Sequence, residues 1–320
     1  MKTRNSLLRS IRRLGSALAL AGLLLACVTP LGARAELQRI TEHVYAYAGT
    51  TNPAPGANSY GANVGLVVGS DSVLVIDTLI SAREAQRFLA DIRKVTDKPI
   101  RYVINTHYHL DHSFGNGEFA KLGATIIGQD HSRQDFAKTE QVLAHPEQFG
   151  LTAADLEGTT LHHPDITFND SLTLDLGGIT VQLRYPAGPT HTDDSIVAYI
   201  KEEKVLFTGD MLFSHYHPYL AEGDFGNWTL ALFELGKLPA EKIIPGHGPV
   251  STKEDLADMR LYLEQFDSLA RTLCLGKSAQ NAPAIAQEML KRLPDQGRTA
   301  LTGMVERNLR ARFLPQPEGK

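Results

Sequence analysis

Six consecutive residues, His107, Tyr108, His109, Leu110, Asp111 and His112, hold four groups that can ligate a metal ion. They follow directly on the apolar, β-branched stretch 100–105, which reads as a buried strand. The run therefore occupies the turn that leaves a core strand. Alternate residues of such a turn can project to one side. The imidazoles of His107 and His109 can then converge on one ion while Asp111 and His112 turn toward a second. A mixture of imidazole and carboxylate suits Zn²⁺. A merely solvated polar turn would not concentrate four potential ligands at this point. Two ligands do not close a zinc site, so the fold must bring further donors to the same place.

Candidates stand at three later strand ends. His191 lies in a Gly/Pro/Thr/Asp-rich turn, 188–194, between strands expected at 179–185 and 195–200. Asp210 ends the strand expected at 205–208, after Gly209. His247 follows the short strand expected at 242–244 and is flanked by Gly246 and Gly248. Each alone reads as well as a turn histidine or a hairpin aspartate. Together they point to convergence at one sheet edge, where loops carry function on a rigid scaffold.

The rest of the pattern supplies that scaffold. Residues 43–47 alternate as a strand, and the breaker-rich segment 51–58 reads as a loop. Residues 63–68 and 72–76, separated by Gly69, Ser70 and Asp71, read as a hairpin. In 82–95, Phe88, Leu89, Ile92 and Val95 recur at helical spacing, and Asp97, Lys98 and Pro99 stop the helix. A short strand at 124–127 and a helix at 132–143 follow, whereas 145–164 has no readable order. Strands resume at 172–176, and helices are expected at 228–235, 254–275, 282–292 and 301–312. No repeat of 20 to 50 residues is present. Strands with interspersed helices, twice over, then helices at the end, imply a layered α+β fold with two sheets covered by helices.

Residues 1–35 carry Lys2, Arg4, Arg9, Arg12, Arg13 and Arg34 and no acid, then an apolar run at 14–28 and the small-x-small site Ala33, Arg34, Ala35. This reads as a secretory signal cleaved after Ala35, since the run is shorter than the ~20 residues a bilayer span needs. A bacterial periplasmic or secreted protein with no stable membrane span in its mature form is expected. The Arg12–Arg13 pair offers a twin-arginine route, and Leu24 to Cys27 resembles a lipobox with an atypical Leu; ordinary cleavage is the reading taken. The whole chain has formal charge -4; without the leader, 26 basic residues face 36 acids, which disfavours a nucleic-acid partner. Cys274 would then be the one remaining cysteine, inside an apolar run, and reads as a buried filler.

The run His107, His109, Asp111, His112, with His191, Asp210 and His247 in these settings, resembles the metallo-β-lactamase superfamily, from about residue 38 to 275. The resemblance implies a four-layer αββα sandwich over 36–275, with a C-terminal helical extension at 276–320. It implies one zinc on His107, His109 and His191, a second on Asp111, His112 and His247, and Asp210 bridging them. Asp77, closing the strand at 72–76, resembles the family carboxylate that orients a ligand imidazole.

Two zinc ions so held would bridge a water as hydroxide near neutral pH, with Asp111 and Asp210 as the catalytic carboxylates. The expected enzyme is a binuclear zinc-dependent hydrolase of a small ester, thioester, lactone or lactam. Family members that open β-lactams usually lack the bridging Asp, although export suits β-lactam hydrolysis, so a β-lactamase proper is an alternative. Another is a mononuclear iron enzyme resembling persulfide dioxygenases, using His107, His191 and Asp210. The loop expected at 211–225 holds His215, Tyr216, His217 and Tyr219, which either shape a substrate pocket or form a packed surface corner. Trp228 reads as a core anchor, and His131, His145, His162 and His163 as surface or turn residues.

Overall fold

The computed structural model describes residues 36–49, 61–186, 188–295 and 297–314. The expected leader, with Cys27, and the expected loop at 51–58 lie outside the described residues. The first sheet has seven strands in sequential order: β1 (Leu37–Arg39), β2 (Val44–Tyr47), β3 (Val64–Val68), β4 (Val73–Ile76), β5 (Ile100–Ile104), β6 (Thr125–Gln129) and β7 (Ile166–Phe168). It is antiparallel from β1 to β4 and parallel from β4 to β7. The second holds β8 (Ser171–Asp175), β9 (Thr180–Arg184), β10 (Val197–Ile200), β11 (Val205–Phe213) and β12 (Lys242–His247), in the order β12-β11-β10-β9-β8. Only its β11–β12 pair is parallel.

Alternation along the strands assigns side chains to layers. Val73 and Val75 of β4, with Val103 of β5, pack outward. Leu74, Ile76 and Ile104 face the second sheet, meeting Leu183, Ala198 and Phe207. Both faces are buried, which explains why these strands read as continuous apolar runs. The outer face of the first sheet is covered by α1 (Ala82–Val95), through Phe88 and Ile92, and by Phe119 of α3 (Asn116–Ala120). Between these helices lies the single turn α2 (Leu110–Ser113), and α4 (Ser132–Ala144) follows. The outer face of the second sheet, including Leu206 and Ile243, is covered by α5 (Phe225–Leu235), α6 (Lys253–Leu273), α7 (Ala282–Leu290) and α8 (Gly303–Arg312). The αββα layering is therefore present. Residues such as Phe88 and Trp228, wholly buried, each contribute about 2–3 kcal/mol by removing apolar surface from water.

Helix limits follow local chemistry. At α1, the Ser81 hydroxyl accepts a hydrogen bond from the Glu84 amide, and the Thr96 amide closes the last turn on Ile92. A reciprocal capping box between Thr252 and Asp255 starts α6. Cys274 is buried against α6 and α7 neighbours, as a filler should be.

Two expectations need correction. β11 does not stop at Thr208 but runs to Phe213, so residues 211–213 are strand rather than loop. Its register with β12 shifts on either side of Gly209, whose φ of +51° suits glycine. That irregularity carries the chain past Asp210 without ending the strand. The segment 145–164 also contains one short 3₁₀ turn, Pro146–Phe149. No helix of the described residues is long and apolar enough to cross a membrane.

Candidate metal centre

The candidate ligands reach one place by four routes. His107 follows β5, and Asp111 and His112 lie on α2. His191 sits in the connection from β9 to β10, Asp210 inside β11, and His247 ends β12. The Ile196 amide donates to the Thr106 carbonyl at 2.8 Å, joining the two sheets beside the site. Gly246 permits the approach of β12 to β11, because a Cβ there would fall 1.9 Å from Asp210 Oδ1. Asn63 donates to the carbonyls of Pro245 and Gly248, fixing the segment that carries His247.

The seven residues form two groups. Ligand atoms of His107, His109, His191 and Asp210 lie within 4.8 Å of one another, as do those of Asp111, His112 and His247. Asp210 faces both. Its Oδ2 is 3.4 Å from His191 Nε2 and 3.8 Å from His107 Nε2. Its Oδ1 is 3.1 Å from His112 Nε2 and 3.4 Å from His247 Nε2. Asp111 Oδ2 closes the second group, 3.4 Å from His247 Nε2.

Neighbouring carboxylates orient two of the imidazoles. Asp77 accepts from the Thr106 amide at 2.7 Å, from the Thr106 hydroxyl at 2.8 Å and from His112 Nδ1 at 2.8 Å. His112 Nε2 is thereby turned toward Asp111 and Asp210. Glu222 acts likewise on His109, accepting from Nε2 at 3.2 Å and from the Tyr108 hydroxyl at 2.6 Å. This turns His109 Nδ1 inward, 3.0 Å from both His107 Nε2 and His191 Nε2.

Such an arrangement calls for positive charge. Among the described residues, the ion-pair partners of Asp77, Asp111 and Asp210 are all histidines. Burial disfavours a charged His112, yet Asp210, Asp111 and Asp77 outweigh it and raise its pKa well above the ordinary value. Burial also opposes ionised Asp210, but His247 and His112 hold it well below the usual carboxylate range. His191 is pushed down to about 3 by burial, which keeps its imidazole neutral, the form a metal requires. His191 Nδ1 and His247 Nδ1 are buried without a hydrogen-bond partner. Inward lone pairs, buried acids and orphaned polar atoms all fit bound cations.

A cavity of about 330 Å³ opens beside this cluster. His109, Asp111, Asp210 and His247 form its polar side, and Tyr108, Phe213 and Tyr219 add rings. Of the aromatic loop residues, Tyr219 alone lines it. Tyr216 is buried in the outer core and His217 Nδ1 pairs with the Tyr262 hydroxyl, so both are packing groups. Trp228 is also a core anchor, its Nε1 donating to the Met211 carbonyl at 2.9 Å. His131, His145 and His163 are exposed and His162 half-buried. Sequence reasoning missed Glu222, Lys138, and the wall built by Leu301, Met304 and Arg307 at the start of α8. None sits at a strand end or in a ligand-like spacing.

A model of the metallo-beta-lactamase superfamily matches residues 58–247. A linear primary-alkylsulfatase from Pseudomonas sp. is 26% identical over 228 residues, 61% of this chain but only 43% of the relative. The acyl-coenzyme A thioesterase MBLAC2 of Bos taurus is 27% identical over 206 residues, 58% of this chain and 72% of that one. A metallo-beta-lactamase structure from Pontibacter korlensis superposes with a TM-score of 0.57 at 21% identity, covering 72% of this chain and 99% of that one. The family match spans more than half of the chain and includes all seven converging residues: the chain belongs to the metallo-beta-lactamase superfamily.

Proposed function

We propose that the chain is a binuclear zinc hydrolase acting on a small ester, thioester, lactone or lactam. The observation that carries this reading is Asp210, whose two oxygens face different histidine pairs within one buried cluster. The relatives' names, an alkylsulfatase and an acyl-CoA thioesterase, support hydrolysis as the reaction class. His107, His109 and His191 would hold one ion, Asp111, His112 and His247 the other, and Asp210 both. Bound zinc would supply a nucleophile from water near neutral pH and polarise the substrate oxygen. The chain's part is to orient. Asp111 borders the cavity and can accept a proton of the attacking water. Tyr108, Phe213 and Tyr219 exclude bulk water from the acyl group. The leader composition supports work outside the cytoplasm, on a small molecule rather than a nucleic acid.

A one-iron centre on His107, His191 and Asp210 is the second reading. The equally buried triplet Asp111, His112 and His247 favours two ions. Metal analysis of purified protein is expected to find two zinc per chain. The zinc-loaded protein should hydrolyse at least one of a thioester, a lactone, an aryl ester and a chromogenic cephalosporin. One iron per chain with oxygen consumption would overturn the proposal.

Glu222→Gln should keep the fold but weaken the charge that orients His109. About tenfold lower zinc affinity is expected, read by competition with a chromogenic chelator. An unchanged affinity would remove Glu222 from the orienting role.

A further inference from the structure

The remaining lining of the cavity is uneven in its chemistry. Leu110, Val142, Phe149, Leu301 and Met304 make it apolar, and two cations, Lys138 and Arg307, also line it. Lys138 is committed: its Nζ is 2.8 Å from Asp135 and 3.6 Å from Glu222, and lies over the Tyr108 ring. Arg307 is not. Among the described residues no carboxylate lies within ion-pairing distance of it, and its guanidinium Cζ stands 5.4 Å from the centroid of the Tyr219 ring.

That placement is fixed from two sides. Arg307 precedes Asn308, a wholly buried residue whose Oδ1 accepts from the Leu220 amide and whose Nδ2 donates to the Pro218 carbonyl, both at 2.8 Å. Arg312, one turn on, donates to the carbonyls of Leu220 and Gly223. Helix α8 thus holds the segment bearing Tyr219, and Tyr219 holds the guanidinium. The Tyr219 ring in turn lies 5.7 Å from the His109 ring and 6.2 Å from the His191 ring. One aromatic ring therefore separates the Arg307 guanidinium from the candidate ligands. The acids on the same cavity are engaged elsewhere, Glu222 with His109 and Tyr108, Asp111 and Asp210 with histidines.

We propose that Arg307 is an oxyanion subsite at the cavity mouth. The preferred substrates are then acyl compounds carrying a carboxylate or phosphate a few bonds from the scissile carbonyl, with an apolar stretch between. A planar guanidinium held beside a ring offers paired donors to such a group. This proposal rests on the hydrolase reading and extends it to substrate class.

The test compares two aryl esters on zinc-loaded full-length protein, p-nitrophenyl butanoate and the p-nitrophenyl half-ester of glutarate. Wild type should favour the anionic ester. Arg307→Ala should lose about tenfold in kcat/KM for it, mainly through KM, with the neutral ester unchanged. Arg307→Lys should retain part of the preference, and Arg307→Glu should invert it. Competition by glutarate against inorganic phosphate then distinguishes carboxylate from phosphate as the recognised group. Equal effects of Arg307→Ala on both esters, or no preference in wild type, would overturn the subsite. If neither ester is turned over, the hydrolase reading fails for esters. Calorimetric binding of glutarate and phosphate to wild type and Arg307→Ala still decides the subsite, since loss of binding in the variant supports it and equal or absent binding refutes it.

Discussion

Asp210→Ala is expected to lower kcat/KM by about a thousandfold and to reduce tightly bound zinc from two ions per chain to one or fewer. A thousandfold is about 4 kcal/mol of transition-state stabilisation, within what correctly held metals supply. The effect should be large because Asp210 has no substitute. Each of its oxygens faces a different histidine pair, and Gly246 leaves no room for a side chain of its own beside it. Removing it also leaves Asp111 and Asp77 as the acids around His112. Asp210→Asn, similar in shape, separates charge from packing: it should fold as wild type yet share most of the loss. Metal analysis and steady-state kinetics on the same preparations give the answer. A variant with two zinc ions and activity within tenfold of wild type would remove Asp210 from the bridging position.

Removing the metal should be the second large effect. Chelation is expected to abolish turnover and lower Tm by on the order of 10–20 °C, with recovery on adding zinc. An ion present at a thousand times its Kd stabilises a fold by about 4 kcal/mol, and two sites roughly double this. For a domain above 150 residues each kcal/mol moves Tm by about 2 °C or slightly more. Zinc uptake should also release protons. In the chelated protein the surrounding carboxylates raise the pKa of His112 well above the ordinary imidazole value, so His112 must give up a proton to become a ligand. Its affinity for zinc should accordingly fall as pH is lowered. Calorimetry in buffers of different ionisation enthalpy measures the released protons. A chelated, metal-free protein that melts at the holo temperature would show that the cluster does not hold structural metal.

Much of the scaffold could be read in the chain because its signals are local. Phe88, Leu89, Ile92 and Val95 repeat at helical spacing, and Asp97, Lys98 and Pro99 stop them, so the expected bounds 82–95 match α1. Strands buried on both faces announce themselves as apolar runs, as in β3, β4 and β5. The short elements were silent. β1 and β7 have three residues each and α2 four, too few to show a period. The expected strand at 205–208 stops short of Gly209, when that glycine is instead the irregularity that lets β11 continue. The converging side chains stood at strand ends and were legible there. Glu222 and Arg307 were not, because their roles depend on a loop held by a distant helix. Nothing near either in sequence says what it faces.

The hydrogen bonds from Asn308 and Arg312 to the 218–223 segment give the last helix a reach beyond packing. The residues that gather around Asp210 all lie between positions 107 and 247, whereas one wall of the cavity belongs to positions 301–307. On the proposed reading, part of the selecting wall is thus written on a stretch of the chain separate from the reactive cluster. Changes confined to α8 can retune which molecules are accepted while the reactive cluster stays intact, so near-identical centres in this family need not share a diet.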